Sequence, residues 1–350
     1  MRALVTGASG LIGAHLVSAL VGGGHDVRAL VRDAGRSAVP EGVRVTVADL
    51  LDATADIDAA CVGCDVVFHT AAYFAYGGIN PGVLHDTAVV GTERVLRACA
   101  RAGVERIVVT SSSVVFGYSR DAREIDECAG LADSEGESPY VAAKIAQHRC
   151  ALELGERLGL DVRMACPTMT LGPSSARLGP SNALIVAYLM DPLRCTYPGG
   201  CNLVSVRDVA LGHVLIAERG VAGGSYLLGS ANMTWREVHT AIAELAGVAA
   251  PRLELTHSMA YLAATVDEVR ATLAHRVALT TREQAEMVGR RYWYSHAKAA
   301  EIGYSPMPAR DALVEAISWL AASPHVTRET RVNMRLADEV YRFRARGFGG

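Results

Sequence analysis

The feature that most constrains this chain is the segment ALVTGASGLIGAHL near its start, which contains Gly7, Gly10 and Gly13. These glycines follow a short apolar run at residues 3–6 and precede a helical pattern at residues 12–21. Glycines there allow a tight turn, and the start of the helix offers free N–H groups to a phosphate. The segment therefore predicts a strand–turn–helix unit that binds the pyrophosphate of a dinucleotide, and the alternative is a turn without a ligand.

Strand and helix patterns alternate along the first half of the chain. Apolar runs typical of buried parallel strands lie at residues 3–6, 27–31, 43–47, 66–69, 106–111 and 162–166. Helical patterns such as 12–21 and 92–102 lie between them. Such alternation with short connections predicts an α/β fold with a Rossmann-type, doubly wound parallel sheet.

The pattern changes after residue 166 and predicts a second domain. Residues 167–201 are irregular and rich in Pro and Gly, and a strand, a helix and a strand follow at 202–206, 208–217 and 224–228. From residue 235 onward the chain is mainly helical. We expect a dinucleotide-binding Rossmann domain at 1–166, to which 202–230 return, and a smaller, mainly helical substrate-binding domain formed by 167–201 and 231–350.

The composition excludes several function classes. The net charge of -3 provides no basic surface for nucleic acid or an anionic membrane, and no apolar stretch is long enough to span a bilayer. Eight cysteines in 350 residues form no disulfide framework, and Cys61 and Cys64 form a CxxC pair without a second pair for zinc. We therefore expect a cytoplasmic protein with a small-molecule substrate and no metal.

The end of the second strand predicts which dinucleotide binds. NAD binders usually place a carboxylate about 20 residues past the glycine loop, for the ribose hydroxyls. Here the strand ends in Leu-Val-Arg, and Arg32 can clamp a 2'-phosphate with its planar fork. NADP is therefore favoured, and NAD is the alternative if Asp33 serves the ribose instead. Asp49 and Leu50, after the third strand, are expected beside the adenine.

Tyr140 and Lys144 are the predicted catalytic pair. Their spacing places them on one helix face, after Ser138 as a cap and Pro139 in the first turn. Lys144 is one of only two lysines, against 32 arginines. Its ammonium is expected to lower the pKa of the phenol. The alternative is an exposed tyrosine and lysine without a catalytic role.

Three serines in IVVTSSSVVFG follow the fifth strand, at the sheet edge where α/β proteins bind ligands. A serine hydroxyl there can hold a substrate carbonyl while Tyr140 moves the proton and the coenzyme handles the hydride.

Several motifs together resemble one family over nearly the whole chain. They include TGASGLIG (6–13), FHTAA (68–72), TSSSVVFG (110–117), YVAAK (140–144) and PTMTLGP (167–173). The chain resembles the extended short-chain dehydrogenase/reductase superfamily in its NAD-dependent epimerase/dehydratase branch. Within the branch it looks most like bacterial proteins related to dihydroflavonol reductases and hopanoid-associated sugar epimerases.

The resemblance implies roles for individual residues. It makes Ser112 the catalytic serine beside Tyr140 and Lys144, gives Lys144 the nicotinamide ribose, and gives the backbone after Pro167 the carboxamide. The residues expected to bind the coenzyme are Gly7, Ser9, Gly10, Leu11, Ile12, Gly13, Arg32, Asp49, Leu50, Thr70, Ala71, Ala72, Thr110, Tyr140, Lys144, Pro167, Thr168 and Thr170. The residues expected to bind the substrate are Tyr73, Phe74, Tyr76 and Ser113.

Two further positions, Ala88 and His69, bear on the predicted catalytic site. Many relatives carry Asn where this chain has Ala88, which removes an anchor near the catalytic centre. His69 ends a strand, and a structural role is favoured for it.

The acidic segment 118–138 is expected to be solvated.

The favoured activity is NADPH-dependent reduction of a ketone or aldehyde, or the reverse oxidation. The alternatives are a nucleotide-sugar epimerase that retains NAD and a catalytically silent NADP-sensing regulator. A homodimer is expected through helices at 92–102 and 140–157. Its contact positions on the second helix are Ala142, Ala143, Ala146, Ala151 and Leu154.

Overall fold

A computed structural model describes residues 1–33, 39–73, 80–174, 178–274, 278 and 280–345 of the chain. Its centre is a seven-stranded parallel sheet in the order β10-β6-β5-β4-β1-β2-β3. These strands are β1 (Arg2–Thr6), β2 (Asp26–Val31), β3 (Arg44–Val47), β4 (Val66–His69), β5 (Arg106–Thr110), β6 (Asp161–Pro167) and β10 (Ser225–Leu228). Every strand carries buried apolar side chains except β3, which lies at the sheet edge.

Helices cover both faces of this sheet. One face carries α2 (Ile57–Cys61), α3 (Pro81–Ala102) and α4 (Pro139–Leu158), and the other carries α1 (Leu11–Gly22) and α6 (Val206–Arg219). The chain leaves β1 toward β2 on one side and later returns to its other side as β4, so the strand order reverses between β1 and β4. Ligands bind at such a switch point in open α/β sheets. The predicted α/β fold with a doubly wound parallel sheet is confirmed.

The C-terminal part is mainly helical and carries a small sheet. That sheet joins β7 (Met169–Leu171), β9 (Gly200–Ser205), β11 (Ala231–Thr234) and β13 (Arg291–Tyr292), and a two-stranded sheet joins β8 (Cys195–Thr196) and β12 (Leu253–Glu254). The helices are α5 (Pro180–Met190), α7 (Trp235–Ala246), α8 (His257–Leu273), α9 (Arg282–Glu286), α10 (Ala297–Glu301), α11 (Ala309–Ala322), α12 (Arg328–Asn333) and α13 (Asp338–Ala345). No helix in the described ranges is both long and apolar enough to cross a membrane.

Two elements differ from the sequence expectation. The helix expected at 92–102 begins at Pro81, because the Asn80 side chain accepts a hydrogen bond from the Gly82 N–H (2.8 Å) and Pro81 occupies the first turn. The strand expected at 202–206 forms as β9 but pairs with β7, β11 and β13, so the return to the large sheet begins with α6 and not at residue 202.

Some of the side chains expected to contact a second subunit are buried within this subunit. Ala143 packs with Leu84 and Ala88 of α3, and Ala151 and Leu154 belong to the core between α4 and the large sheet. These three side chains are therefore wrong as dimer contacts. The homodimer stays a prediction, which now rests on the outer faces of α3 and α4.

Candidate active site

The glycine loop between β1 and α1 is packed too tightly for side chains. Gly7 has a φ of +68°, and a Cβ there would lie 2.6 Å from the Ala71 Cα. A Cβ on Gly13 would lie 2.3 Å from the Gly7 carbonyl oxygen. Gly10 caps α1 without a side-chain hydrogen bond, so the first N–H groups of the helix stay available to an anion. This cradle fits the pyrophosphate of a dinucleotide.

The other predicted coenzyme residues lie along the carboxyl edge of the large sheet. Ser9, Leu11 and Ile12 belong to the loop and the first turn of α1, and Thr70, Ala71 and Ala72 follow β4 against that loop. Asp49 and Leu50 follow β3, and Pro167 ends β6 just before Thr168 and Thr170.

The four threonines predicted to bind the coenzyme are hydrogen-bonded within the protein. The Thr110 hydroxyl pairs with His213 (2.8 Å), the Thr168 hydroxyl donates to the Asn202 Oδ1 (2.8 Å), and the hydroxyls of Thr70 and Thr170 donate to backbone carbonyls. Their contacts with a coenzyme stay predictions.

Tyr140 and Lys144 lie one turn apart on α4 and are buried, with 6% and 4% of their surfaces exposed. The Ser138 hydroxyl caps the helix by accepting from the Val141 N–H (3.4 Å), and Pro139 begins it. The Tyr140 hydroxyl is hydrogen-bonded to Ser112, which directly follows β5. The structure therefore brings together the three residues predicted to be catalytic.

Burial controls the protonation of this pair. It raises the pKa of Tyr140 to about 12, although the Ser112 hydrogen bond opposes the rise. It lowers the pKa of Lys144 to about 8. The expected lowering of the Tyr140 pKa by Lys144 is not found: burial raises this pKa, and the opposing influence comes from the Ser112 hydrogen bond and not from the ammonium. The phenol keeps its proton at neutral pH and can act as a proton donor.

Lys144 has a partner that sequence reasoning missed. Its Nζ donates to the Thr110 carbonyl (3.1 Å) and to the Gln147 Oε1 (2.8 Å), and Gln147 is fully buried. The Gln147 amide donates in turn to the Thr92 hydroxyl (3.0 Å), which also pairs with His69 (3.0 Å). The three-residue spacing of Lys144 and Gln147 on one helix was the signal that could have indicated this contact.

Ala88 stands beside this network. Its carbonyl accepts from the Thr92 hydroxyl (2.6 Å), and its methyl group packs with Leu84 and Ala143. Small apolar side chains thus occupy the place where many relatives carry Asn, and the Gln147 amide binds the lysine instead.

Arg32 lies at the end of β2 as predicted, but it contacts a residue expected elsewhere. Its guanidinium lies 4.8 Å from the centre of the Tyr73 ring and donates to the Tyr73 hydroxyl. Tyr73 was expected to bind substrate, yet it is not among the described residues that line the cavity beside Ser112. Phe74 and Tyr76 lie outside the described residues.

A cavity of about 710 Å³ is lined by Ser112, one of the three residues predicted to be catalytic. Ser112, Ser113 and Thr168 line it from the large sheet, and α5, α7, α8 and α9 supply most of the other wall. Tyr294 also lines it, and its hydroxyl donates to the Gly117 carbonyl (2.6 Å). These helices lie in the segments 167–201 and 231–350 that were expected to bind substrate, but the individual wall residues were not predicted, because they come from positions far from Tyr140 in the chain.

The sequence profile of the NAD dependent epimerase/dehydratase family matches residues 3–229. The match covers the glycine loop, Ser112, Tyr140 and Lys144. The chain belongs to this family. The predicted resemblance is confirmed at that level.

Individual relatives carry more specific names. A putative dihydroflavonol 4-reductase of Synechocystis sp. is 29% identical over 322 residues, which cover 90% of this chain and 93% of the relative. Sterol demethylase protein B of Methylococcus capsulatus is 30% identical over 326 residues, or 91% and 98% of the two chains. The crystal structure of gox2253 superimposes with a TM-score of 0.78 at 30% identity, and the match covers 93% of this chain and 99% of that one.

Proposed function

We propose that this family member is an NADPH-dependent reductase of a ketone or aldehyde, which can also catalyse the reverse alcohol oxidation. The observation that carries the proposal is the buried Tyr140 hydroxyl, which is hydrogen-bonded to Ser112 in the lining of a large cavity. A group that holds its proton at neutral pH is suited to protonate the oxygen of a carbonyl as it is reduced.

The chain's own residues can carry the proton part of this reaction. The Ser112 hydroxyl donates a hydrogen bond to the substrate carbonyl oxygen and holds it beside the Tyr140 hydroxyl. Tyr140 gives its proton to that oxygen as negative charge develops there. The Lys144 ammonium, charged below about pH 8, then stabilises the tyrosinate that remains. A nicotinamide coenzyme held by the glycine loop supplies the hydride.

The preference for NADPH rests on Arg32. Arg32 directly follows β2, and its side chain is exposed. A coenzyme bound at the glycine loop would place its adenosine ribose at this end of the strand. Planar guanidinium groups bind phosphate through two parallel hydrogen bonds. The contact with Tyr73 holds the guanidinium at this edge of the sheet.

A nucleotide-sugar epimerase that retains NAD is the second candidate, favoured by the family's own description. The two candidates differ in how they hold the coenzyme, since an epimerase oxidises and re-reduces its substrate with the same molecule. The silent-regulator alternative is disfavoured, because Ser112, Tyr140 and Lys144 are all present and two of them are hydrogen-bonded together.

Mass spectrometry of the small molecules released from purified, denatured protein tests the proposal. The reductase is expected to release NADP(H) or no coenzyme, and to oxidise added NADPH only when a carbonyl compound is present. Stoichiometric NAD that survives dialysis, together with no NADPH oxidation by any ketone or aldehyde, would favour the epimerase.

A further inference from the structure

The cavity wall includes an aromatic cluster supplied by α5, α7 and the residue that follows β8. His239 lies in this cluster with 2% of its surface exposed. It stacks on Tyr188, with the ring centres 4.6 Å apart and the planes at 6°, and the Trp235 ring lies 6.2 Å away. Aromatic packing on two sides therefore fixes the orientation of the imidazole.

Only one imidazole nitrogen of His239 is hydrogen-bonded within the described residues. Its Nδ1 pairs with the Thr196 hydroxyl (2.9 Å), and no donor or acceptor of the described chain pairs with its Nε2. His239 also lines the cavity. A nine-tenths buried ring that leaves one polar nitrogen to a cavity is suited to bind a polar group of a ligand, since buried polar atoms are otherwise paired.

The protonation of His239 limits which group that can be. Burial lowers the pKa of His239 to about 4, so the ring is neutral at physiological pH. One nitrogen of a neutral imidazole donates and the other accepts. The Thr196 hydroxyl can serve either role toward Nδ1, and a ligand hydroxyl can serve either role toward Nε2. A hydroxyl group thus satisfies the site in both tautomers.

The charge of the cavity limits the rest of the ligand. The charged side chains in its described lining are Asp191, Asp267 and Arg270, so the lining carries two carboxylates and one guanidinium. A diphosphate would add negative charge to a lining in which carboxylates already outnumber guanidinium groups. Much of the remaining wall is apolar, including Leu184, Leu255 and Val288. The lining therefore favours an uncharged, largely apolar molecule, and the volume is that of a pocket for a multi-ring compound.

We propose that the cavity binds a bulky, neutral, largely apolar carbonyl compound that also carries a hydroxyl group, which hydrogen-bonds to the His239 Nε2. Which end of the ligand lies at Ser112 rests on the proposed reductase function. The hydroxyl site at His239 rests only on the cavity.

Binding of two matched ligands tests this inference. The probes are a flavanone with one phenolic hydroxyl on its pendant ring and the unsubstituted flavanone, both neutral at pH 7 since a phenol titrates near pH 10. Isothermal titration calorimetry is expected to show about 3–10-fold tighter binding of the hydroxylated flavanone, the value of one net hydrogen bond. UDP-glucose is expected to compete with neither.

Two variants locate the contact. His239→Phe keeps a stacked ring without the nitrogen, so it should remove the preference for the hydroxyl and leave binding of the parent flavanone within about twofold. Leu255→Ala, the matched control in the apolar wall, should weaken both ligands equally. Equal affinities in the unaltered protein, or a preference that survives in His239→Phe, would overturn the inference. The comparison in the unaltered protein decides the matter even if His239→Phe does not fold.

Turnover separates this inference from the proposed function. Hydroxyl-dependent binding without NADPH-dependent reduction of this or any other ketone or aldehyde offered would refute the reductase and keep the His239 site. Reduction without any hydroxyl preference would refute the His239 site and keep the reductase. Tighter binding of UDP-glucose than of either flavanone would overturn the ligand class.

Discussion

Lys144 shows at the residue scale why a lysine stands in an arginine-rich chain. Its Nζ fits between the Thr110 carbonyl and the Gln147 amide, in a place without access to water. A guanidinium is broader and carries its charge further from the backbone. Sequence reasoning could predict the pair with Tyr140, because spacing alone aligns them. It could not predict the direction of the Tyr140 pKa shift, because that depends on burial by elements far along the chain.

Gln147 is expected to set the pH range in which Lys144 is charged. Gln147→Met removes an acceptor of the ammonium, which should lower the pKa of Lys144 below about 8 and bring the alkaline fall of kcat/KM to lower pH. Gln147→Glu places a negative charge there, which should raise the pKa of Lys144 and move the fall to higher pH. The pH profiles of turnover measure this, with thermal melting as the check on folding. Unmoved profiles in both variants would mean that Gln147 serves packing alone.

Arg32 is expected to distinguish the two coenzymes. Arg32→Ala removes a partner of the 2'-phosphate that NADH lacks, so Kd for NADPH should rise roughly tenfold or more while Kd for NADH changes little. Titration of both coenzymes against the purified variant measures this. Tyr73→Phe is the control for loss of the hydrogen bond from Arg32 to the Tyr73 hydroxyl alone. Equal weakening of both coenzymes by Arg32→Ala would remove the argument for NADP.

At the scale of elements, the segment between Ser112 and Tyr140 is mostly exposed, as expected, but parts of it are anchored to distant segments. Residues 118–138 were expected to be solvated because they are acidic, yet Ile125 is buried and its N–H donates to the Trp293 carbonyl (2.9 Å). Glu137 forms an ion pair with Arg290 (2.9 Å), whose guanidinium lies over the Tyr118 ring. The contacts come from residues more than a hundred positions away, so local composition could not show them.

The Glu137–Arg290 pair is expected to stabilise the start of α4. The two side chains are 17% and 21% exposed, so Arg290→Met leaves a mostly buried carboxylate without its cation and should cost about 1–3 kcal/mol of unfolding free energy. Arg236→Met is the matched control, since Arg236 pairs with Glu254 at the surface and its loss should cost about 0–1 kcal/mol. Urea unfolding measures both variants. Equal losses of unfolding free energy in the two variants would show that the Glu137–Arg290 pair stabilises the protein no more than a surface ion pair does.

The alternating elements were predictable and the small sheet was not. Buried parallel strands form continuous apolar runs in the sequence, so all seven strands of the large sheet were predicted with ends within about one residue of those observed. The pairing of β9 with β7, β11 and β13 depends on which distant segments meet, and the sequence of β9 resembles that of a large-sheet strand. For the same reason the cavity wall around His239 carried no recognisable motif.

At the scale of the whole molecule, buried histidines couple folding to pH. Burial lowers the pKa of His69 to about 3 and those of His148, His213 and His239 to about 4. In the unfolded chain these groups titrate near pH 6.5, so below that pH the unfolded state binds more protons. The stability they confer is complete above about pH 6.5 and is lost as the pH falls toward 4.

We therefore expect the urea midpoint to fall steeply between about pH 6.5 and about pH 4.5. A His69→Gln variant can keep hydrogen bonds with Thr6 and Thr92 but cannot become charged, so its midpoint should depend less on pH in this window. Midpoints that stay constant across the window, or a variant as sensitive as the unaltered protein, would contradict this account of the buried rings.

In the proposed reaction, a buried, protonated Tyr140 completes the reduction of a carbonyl by NADPH. To test this, the protein is given the hydroxylated flavanone and NADPH that carries deuterium at the transferable position, and the product is analysed by mass spectrometry. We predict one deuterium on the new alcohol carbon, and a rate about 10²–10⁴-fold lower in Tyr140→Phe with NADPH affinity nearly unchanged. A near-native rate in Tyr140→Phe, or no transfer of deuterium to this or any other ketone or aldehyde offered, would contradict the claim.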